Sequence, residues 1–554
     1  MGYNEELRSY CILLDNGRII DSNHVQFLDY PTKPPCDDSD FHIIEEPFES
    51  NDLESDPDTV IPEDLSINNN DSSLSEDLFE SALEDIVESS EEDVDIAATV
   101  VPETWTLRDR TSRVKPAKYS YLTVNTFAPT VKFTTLLILL LFALDKELAI
   151  RQYDVKSAFL FAPLEEELYI KTPEGSKRTA PFLRLKKSLY GLKQALANWY
   201  NTLTSWFNEI NHEQSAADPC LYIHKNKNSF IFFHVDDLIV VGRVQDFEDL
   251  FLKRFPNSSA HNPDSLLGME LTQDGNSVQL SQKKLIQRGI ELAGIRECRP
   301  DNTPLSVGIQ LQQATEQEQD EFSKLKINYR SHTGILNFLA CRTRPDLAPA
   351  VSILSSFNES PGSNHWRQIA HCWKYLAGTI DLKLTLRPDS NDTSNPIQQY
   401  TDATWADDLE TRLSRSGSIC FWKACPVAWN SKKQRNITLS STEAEINALS
   451  DGVQESHWIK FLVEELWDRN LNPTEFHIDN QGLLEKIKKF GSNSKTKHLD
   501  IKMKYLRDLY NKKEIAVRLI PSEKMIADAL TKASTTESLS LLKEKCVYVS
   551  VLYS

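Results

Sequence analysis

Apolar and polar positions follow different rhythms along this chain, and each rhythm predicts a different kind of structure. Residues 10–20, YCILLDNGRII, hold two apolar runs around Asp15-Asn16-Gly17, which predicts a β-hairpin. Two strands alone are marginal in water, so this piece is expected to be the end of something larger. Residues 34–118 show no apolar period. They are rich in Asp, Glu, Ser, Asn and Pro and predict a disordered linker, with a transient amphipathic helix at residues 74–87. From 120 to 385 apolar strands alternate with helical patterns such as SWFNEI, residues 205–210, and residues 283–292. From 398 to 535 a second α/β unit follows, with strands ending near Asp402, Phe421 and Val427 and a helix over residues 442–466. A further strand ends at Asp479, and a last helix is expected after Pro521. The whole is an α+β pattern without internal repeat. Its longest apolar run, residues 136–144, has nine residues, about half of what a bilayer span needs.

Composition adds that 554 residues suffice for roughly three or four domains. A hydrophobic fraction of 40% excludes a wholly disordered chain. Charge changes the picture more. Of the net −20, residues 37–95 contribute −23 without a single Lys or Arg and residues 1–36 contribute −2, leaving +5 for residues 96–554. An acidic stretch therefore hides a mildly basic body, whose runs at Lys186-Lys187, Lys432-Lys433 and residues 486–504 can follow a phosphate backbone. Solvated helix faces are the bland alternative for such runs. Nine Cys with no C-x-x-C pair point to reduced thiols and away from a zinc site. The start MGYNEELRSY carries no apolar signal core and no Ser or Thr at position 6, so a soluble intracellular protein is expected.

The sharpest chemical feature is FIFFHVDDLIVVG, residues 230–242. Two adjacent carboxylates inside so apolar a run are costly unless something cationic compensates them. A turn at Asp236-Asp237 would present them at a hairpin tip, where a divalent ion takes oxygen ligands. An ordinary Asp-Asp turn is the alternative. In AIRQYDVKSAFL, residues 149–160, the apolar stretch ends at Asp154. Beside the hairpin, Asp154, Asp236 and Asp237 would hold two metals for in-line phosphoryl transfer; alone, Asp154 would be a strand-end cap.

DVKSAFL, PLEEELYIKTPEG, LKKSLYGLKQALANWY and HVDDLIVVG occur in this order, followed by LLGMEL, LSQKKLI and YRSHTGILNFLACRTRPDLAPAVSILSSF. Over residues 126–385 this set resembles the reverse transcriptase of copia-type LTR retrotransposons. The resemblance implies that Asp154, Asp236 and Asp237 are polymerase metal ligands. It further implies that Phe159 is the steric gate against a 2′-hydroxyl, and that Lys193 and Gln194 lie in a nucleotide-facing segment. The second unit, with QYTDATWADD, SRSGSICFW, VAWNSKKQRNITLSSTEAEINALS, HIDNQGLL, TKHLDIKMKYLRD and IPSEKMIADALTK, resembles the ribonuclease H domain of the same elements. An RNA-cleaving site needs several carboxylates to hold two metals beside the scissile phosphate. Asp402 and Asp479 close strands, Glu445 lies on the helix whose next face residues are Ala448 and Leu449, and Asp528 is expected to begin the last helix near its positive end. Glu443, two residues from Glu445, falls on a different helix face and is not expected to substitute for it. Residues 1–33 resemble the end of an integrase region without its catalytic core, and no integration activity is expected.

What the resemblance implies as a whole is a partial right-hand polymerase, with palm and thumb but most of its fingers missing, followed by a ribonuclease H-like α/β domain. NTFAPTVKFTT follows almost directly on RTSRVKPAKYSY, His234 stands where the family usually has Tyr, and Leu196 replaces a Pro. The implied layout is an integrase remnant at 1–33, an acidic linker at 34–118, reverse transcriptase at 119–385, ribonuclease H at 386–535 and a tail at 536–554. The implied activity is RNA-directed DNA polymerisation with degradation of RNA in the hybrid. Mg²⁺ or Mn²⁺ is implied as cofactor, two per active site. RNA template, DNA primer, RNA–DNA hybrid, dNTPs and other polyprotein parts are the implied partners, with no membrane. The implied location is the cytoplasm, within a virus-like particle, or the nucleus. The second reading is an eroded, polymerase-dead remnant that retains only ribonuclease H or nucleic-acid binding.

Overall fold

In the computed structural model, residues 126–172, 175, 180–295, 298–389, 396–489 and 497–548 are described, together with four short strands before them. The expected helix at 74–87 lies outside the described residues. The expected hairpin is present: Ser9–Leu13 pairs antiparallel with Ile19–Ser22, Leu13 opposite Ile19, and Gly2–Asn4 adds a third strand. Phe27–Asp29 instead joins Leu168–Lys171 and Phe182–Arg184 in a second three-stranded sheet.

Two units emerge. Of the described residues, the first takes the four short N-terminal strands, 126–128 and 157–204, and the second takes 129–156 and 205–548. Within the second unit the apolar run at 230–242 folds as anticipated, into strands Ser229–His234 and Asp237–Gly242. A six-stranded antiparallel sheet grows from them, in the order Ser259–His261, Ile150–Asp154, Asp237–Gly242, Ser229–His234, Leu221–His224 and His212–Gln214. Against it pack Trp206, Phe247, Phe251 and Phe255, with the Tyr153 ring 4.9 Å from that of Phe251. The helix Phe133–Asp145 is apolar on every side because every residue from Thr135 to Leu144 is buried, so the nine-residue apolar run makes a core helix.

Helices Tyr329–Arg342, Ala348–Leu354 and Ser363–Gly378 form a second core around Trp373. The α/β unit after residue 397 is a mixed five-stranded sheet. Cys425–Lys433, Arg415–Trp422 and Gln398–Thr404 are antiparallel neighbours, and Gln398–Thr404, Thr474–Ile478 and Ile515–Leu519 run parallel. The helix Ser441–Trp467 crosses this sheet, and at Gly452 it comes so close that a Cβ would sit 2.7 Å from Thr401 Cγ2. The α+β class stands as expected from the sequence.

Three local expectations are corrected. Val427 does not end a strand. The hairpin turns at Lys423 and Ala424, both with positive φ (48° and 62°), and Val427 is fully buried inside Cys425–Lys433. After Pro521 no α-helix starts. Two 3-10 turns, Ser522–Lys524 and Ile526–Leu530, are separated by the extended Met525, and the α-helix begins only at Thr536 with Thr535 as its cap. Residues 536–554 are not a tail throughout. Thr536–Cys546 is a helix with Leu539, Leu542 and Cys546 buried, and Val547–Tyr548 pairs with Lys383 and Leu384. An amphipathic helix with an apolar cleft available docks rather than hangs free.

Candidate active sites

Asp154, Asp236 and Asp237 meet through backbone register. Asp237 lies directly opposite Asp154 in the antiparallel ladder, and Ser259 faces Asp154 from the other side. Residues so paired place their Cβ atoms about 4.5–5.5 Å apart on one face, where like charges repel. His234 pairs with Asp237, leaving Val235 and Asp236 as a two-residue turn, and the Val155 amide donates to the Asp236 carbonyl at 3.0 Å. Val235 holds φ at 54°, a left-handed conformation that a β-branched residue adopts only under about 1–3 kcal/mol of strain. Burial pushes the Asp154 carboxyl up, against the pull of His261 and Lys156. All three acids are half-buried at one end of the sheet.

The second set converges more tightly. Asp402 sits in strand Gln398–Thr404, Glu445 in the second turn of Ser441–Trp467, and Asp479 directly after strand Thr474–Ile478. Ligand oxygens of these three carboxylates all lie within 4.8 Å of one another, the only such acidic group among the described residues. The helix start is fixed by Ser440, whose hydroxyl accepts the Glu443 amide, and by Glu443, whose carboxylate accepts the Leu439 amide at 2.7 Å. Glu443 is thus spent on the cap, which agrees with the choice of Glu445. Burial and then the charges of Asp402 and Asp479 push the Glu445 carboxyl up to about 10. Burial and then Asp479 and Asp528 push Asp402 up to about 6. Glu445 Oε2 is buried without a hydrogen-bond partner. Three crowded carboxylates with an orphaned buried oxygen fit a hard divalent cation, which takes oxygen ligands.

Residues 112–307 match the family described as reverse transcriptase (RNA-dependent DNA polymerase). The chain is 32% identical over 437 residues to a retrovirus-related Pol polyprotein from the Nicotiana tabacum transposon TNT 1-94, covering 76% of this chain and 32% of that one. It is 30% identical over 417 residues to the corresponding polyprotein of the Arabidopsis thaliana transposon RE2, covering 74% of this chain and 28% of that one. Over about three quarters of its length the chain is similar to the Pol polyproteins of copia-type retrotransposons. It spans about a third of the length of these curated relatives. Among solved structures, ribonuclease H1 of Halobacterium salinarum NRC-1 aligns with 24% of this chain and 94% of its own at 16% identity, with a TM-score of 0.20.

The remaining candidates fall differently. Phe159, Lys193 and Gln194 belong to the first unit. There Phe159 lies in the 3-10 turn Ala158–Phe161 with its ring 4.5 Å from Tyr190, Lys193 is exposed, and Gln194 is buried just before helix Ala195–Glu209. Asp528 is a correction. It stands inside the 3-10 turn Ile526–Leu530 rather than at a helix start, and its oxygens are taken by Lys532 Nζ at 2.5 Å and Ser538 Oγ at 2.9 Å. It lies outside the group within 4.8 Å, and its charge reaches Asp402 from a distance.

Sequence reasoning missed the hydroxyls that orient the triad. Ser522 donates to Asp479 at 2.8 Å and Thr531 to Asp402 at 3.3 Å. Both flank Asp528 in IPSEKMIADALTK, and their position in that motif was the available signal.

Proposed function

We propose that this Pol chain acts as a ribonuclease H joined to a reverse transcriptase, with Mg²⁺ as the natural ion of both sites. The convergence of Asp402, Glu445 and Asp479 around the orphaned Glu445 Oε2 carries the reading. Ions held there would supply charge for an attacking water and for the developing negative charge at phosphorus. The chain's own residues do the positioning. Ser522 and Thr531 fix the rotamers of Asp479 and Asp402, the capped helix start fixes Glu445, and the buried wall raises the cost of leaving the acids uncompensated.

At the polymerase site Asp154 and Asp237 are cross-strand partners with Asp236 in the turn beside them, the arrangement that a metal-held triphosphate and primer end would require. dNTPs, an RNA template and a DNA primer are the substrates of this half. The RNA–DNA hybrid is the substrate of the other. The compartment on this reading is the cytoplasm, inside a particle built by the other polyprotein parts.

The test is hybrid cleavage in Mg²⁺ by the full chain and by Asp479→Asn, alongside primer extension on RNA by the full chain and by Asp237→Asn. Cleavage and extension are expected from the parent chain, each lost in its own variant by about a thousandfold or more. Equal cleavage by parent and Asp479→Asn would remove the ribonuclease reading, and equal extension by parent and Asp237→Asn the polymerase one.

A further inference from the structure

Two loops beside the triad expose more apolar surface than a solvated loop explains. Trp405, three residues after Asp402 and just past the end of its strand, is 48% exposed, and Ile437 and Leu439, on the loop that leads into the Glu445 helix, are 60% and 79% exposed. The loops are locked together. The Trp405 indole N–H donates to the Thr438 carbonyl at 3.0 Å, the Thr438 and Ser414 hydroxyls share a 2.7 Å hydrogen bond, and the Ala406 amide donates to Ser414 Oγ at 3.1 Å. Thr438 itself is buried, so the loop is anchored by a polar residue while its two apolar neighbours point outward. Lys432, near the end of strand Cys425–Lys433, and Arg435, on the loop that follows, are exposed and supply positive charge near this patch in sequence.

We propose that Trp405, Ile437 and Leu439 form a rigid apolar platform that packs against the sugar and base edges of the RNA–DNA hybrid, with Lys432 and Arg435 on the flanking phosphates. The proposal rests on the ribonuclease H reading of the same site. Three large apolar side chains held out by a buried anchor stay costly to solvate until something covers them. The occupant follows from position and charge. The platform flanks the triad along the chain, on the residue just past the Asp402 strand and on the loop that leads into the Glu445 helix, so a duplex seated on those acids would meet it, and a protein partner there would shut the site. An A-like minor groove is wide and shallow and presents 2′-hydroxyls and sugar faces, a surface that suits a flat indole and two aliphatic chains more than a deep side-chain pocket. Ring stacking on nucleotides tolerates any sequence, as a sequence-indifferent nuclease needs. Trp405 is here a positioning residue. It touches substrate away from the reacting atoms and holds the strand in register over the triad.

The experiment measures binding of a short RNA–DNA hybrid in Mg²⁺ by the full-length Asp479→Asn chain, with and without Trp405→Ala, Trp405→Phe and Leu439→Ser, and the KM and kcat of cleavage in the otherwise unaltered chain. Trp405→Ala is expected to weaken binding and raise KM about tenfold with kcat nearly kept. Trp405→Phe should restore most of the affinity, because a ring remains although the Thr438 hydrogen bond is lost. Leu439→Ser alters a side chain that carries no packing in the free protein and so reports on the platform even where Trp405→Ala unfolds; it should weaken binding about threefold. Hybrid binding unchanged by Trp405→Ala in a folded chain, or by Leu439→Ser, overturns the platform. A parent chain that binds hybrid through Trp405 but cleaves none would overturn the activity and leave the platform standing.

Discussion

Asp145 accepts a hydrogen bond from the Trp467 indole at 2.7 Å, so the last residue of the buried helix Phe133–Asp145 is joined to the last residue of the 27-residue helix Ser441–Trp467. The other Asp145 oxygen takes Lys423 Nζ at 2.6 Å, from the turn between strands Arg415–Trp422 and Cys425–Lys433. Ser215 and the Ala216 amide both donate to Glu465, and the Trp458 indole donates to the Ala217 carbonyl at 2.8 Å. The helix Ser441–Trp467 is therefore fastened through side-chain hydrogen bonds at two places, to the end of helix Phe133–Asp145 and to the segment after strand His212–Gln214, and the fastening at Asp145 is the more enclosed.

Removing the Asp145 carboxylate leaves two donors stranded. Burial alone would raise this carboxyl, and the hydrogen bonds from Lys423 and Trp467 bring it below the usual carboxylate range instead. Its contribution to stability is accordingly present above the unfolded carboxylate pKa and lost as pH falls through the folded one. Asp145→Ala is expected to lower unfolding stability by about 2–4 kcal/mol, since Lys423 is then left largely buried without its partner. Asp145→Asn should cost less, because an amide oxygen still accepts one of the two donors. Urea denaturation at neutral pH reads both, and equal midpoints for parent and Asp145→Ala would refute the fastening.

The raised acids of the triad make a pH prediction of opposite sign. Glu445 and Asp402, held at about 10 and about 6, bind protons in the folded chain that the unfolded chain has already released. Without divalent metal, stability should therefore fall as pH rises above about 4.5, steadily from Glu445 and until about pH 6 from Asp402. Mg²⁺ or Mn²⁺ should restore stability, and more at pH 8 than at pH 5, because the ion competes with protons for the same oxygens. Glu445→Gln should flatten the metal-free slope and abolish the metal response. Thermal melts with and without EDTA across this range decide it; a metal response that is no larger at pH 8 than at pH 5 would be inconsistent with carboxylate ligation.

How far these features could be read ahead depends on whether they are local. The strands around Asp236-Asp237 and the helix carrying Glu445 announce themselves by apolar periodicity, and Asp479 stands where an apolar run stops. These are short-range patterns, and the structure keeps them. Asp402, by contrast, lies inside a strand that runs on to Thr404 rather than closing it. Asp528 was misplaced because its setting is tertiary: Ile526, Ala527, Ala529 and Leu530 all bury, which a five-residue 3-10 turn wedged against two strands achieves and an exposed helix start does not. The Val235 backbone was equally hidden, since a β-branched residue gives no local hint of positive φ. Arg344 and Asp346, of residue types that are mostly exposed, are both fully buried, paired at 2.7 Å and joined by the Tyr375 hydroxyl at 2.6 Å.

That buried pair yields a third prediction. Arg344 gives its guanidinium to Asp346 through Nε and Nη2 and also reaches the Thr379 carbonyl and hydroxyl. Asp346→Ala leaves a buried guanidinium with half its partners and is expected to cost about 3–5 kcal/mol. Asp346→Ala combined with Arg344→Met should cost less than Asp346→Ala alone, because the uncompensated charge goes with its partner. Denaturant midpoints of the two proteins test this, and a double variant weaker than the single would show that the pair is worth more than its desolvation.

Gly242 closes the strand of Asp237 with φ at 105°, where a Cβ would sit 2.3 Å from the Asn228 carbonyl oxygen. That oxygen accepts the Arg243 amide at 3.0 Å, and the Gly242 amide donates to Ala149 at 2.9 Å, so neither strand can yield without breaking a ladder bond. Gly242→Ala is expected to cost about 2–3 kcal/mol. Because the strained end belongs to the strand that starts at Asp237, primer extension should fall more than hybrid cleavage. A variant that keeps the parent ratio of the two activities would show that the strand absorbs the change locally.

The C-terminal helix sets the last expectation. Leu539 joins the core around Trp373, while Leu542, Cys546 and Val547 join another core with Ile419 and Phe421 of strand Arg415–Trp422. The helix therefore bridges two cores, and the strand pair of Val547–Tyr548 with Lys383 and Leu384 seals an edge that would otherwise expose backbone groups. Ser538, on the first turn, also holds Asp528 through its hydroxyl. A chain stopped after residue 535 loses the burial of two leucines, about 3–6 kcal/mol by transfer alone, together with one tie on Asp528. It should unfold at markedly lower urea and cleave hybrid more slowly, whereas Leu542→Ala should lose about 2–4 kcal/mol with the Asp528 tie intact. If slow cleavage in the shortened chain is due to lost packing alone, Leu542→Ala will reproduce it in proportion to its stability; if Asp528 must be held, Ser538→Ala will slow cleavage at nearly unchanged stability.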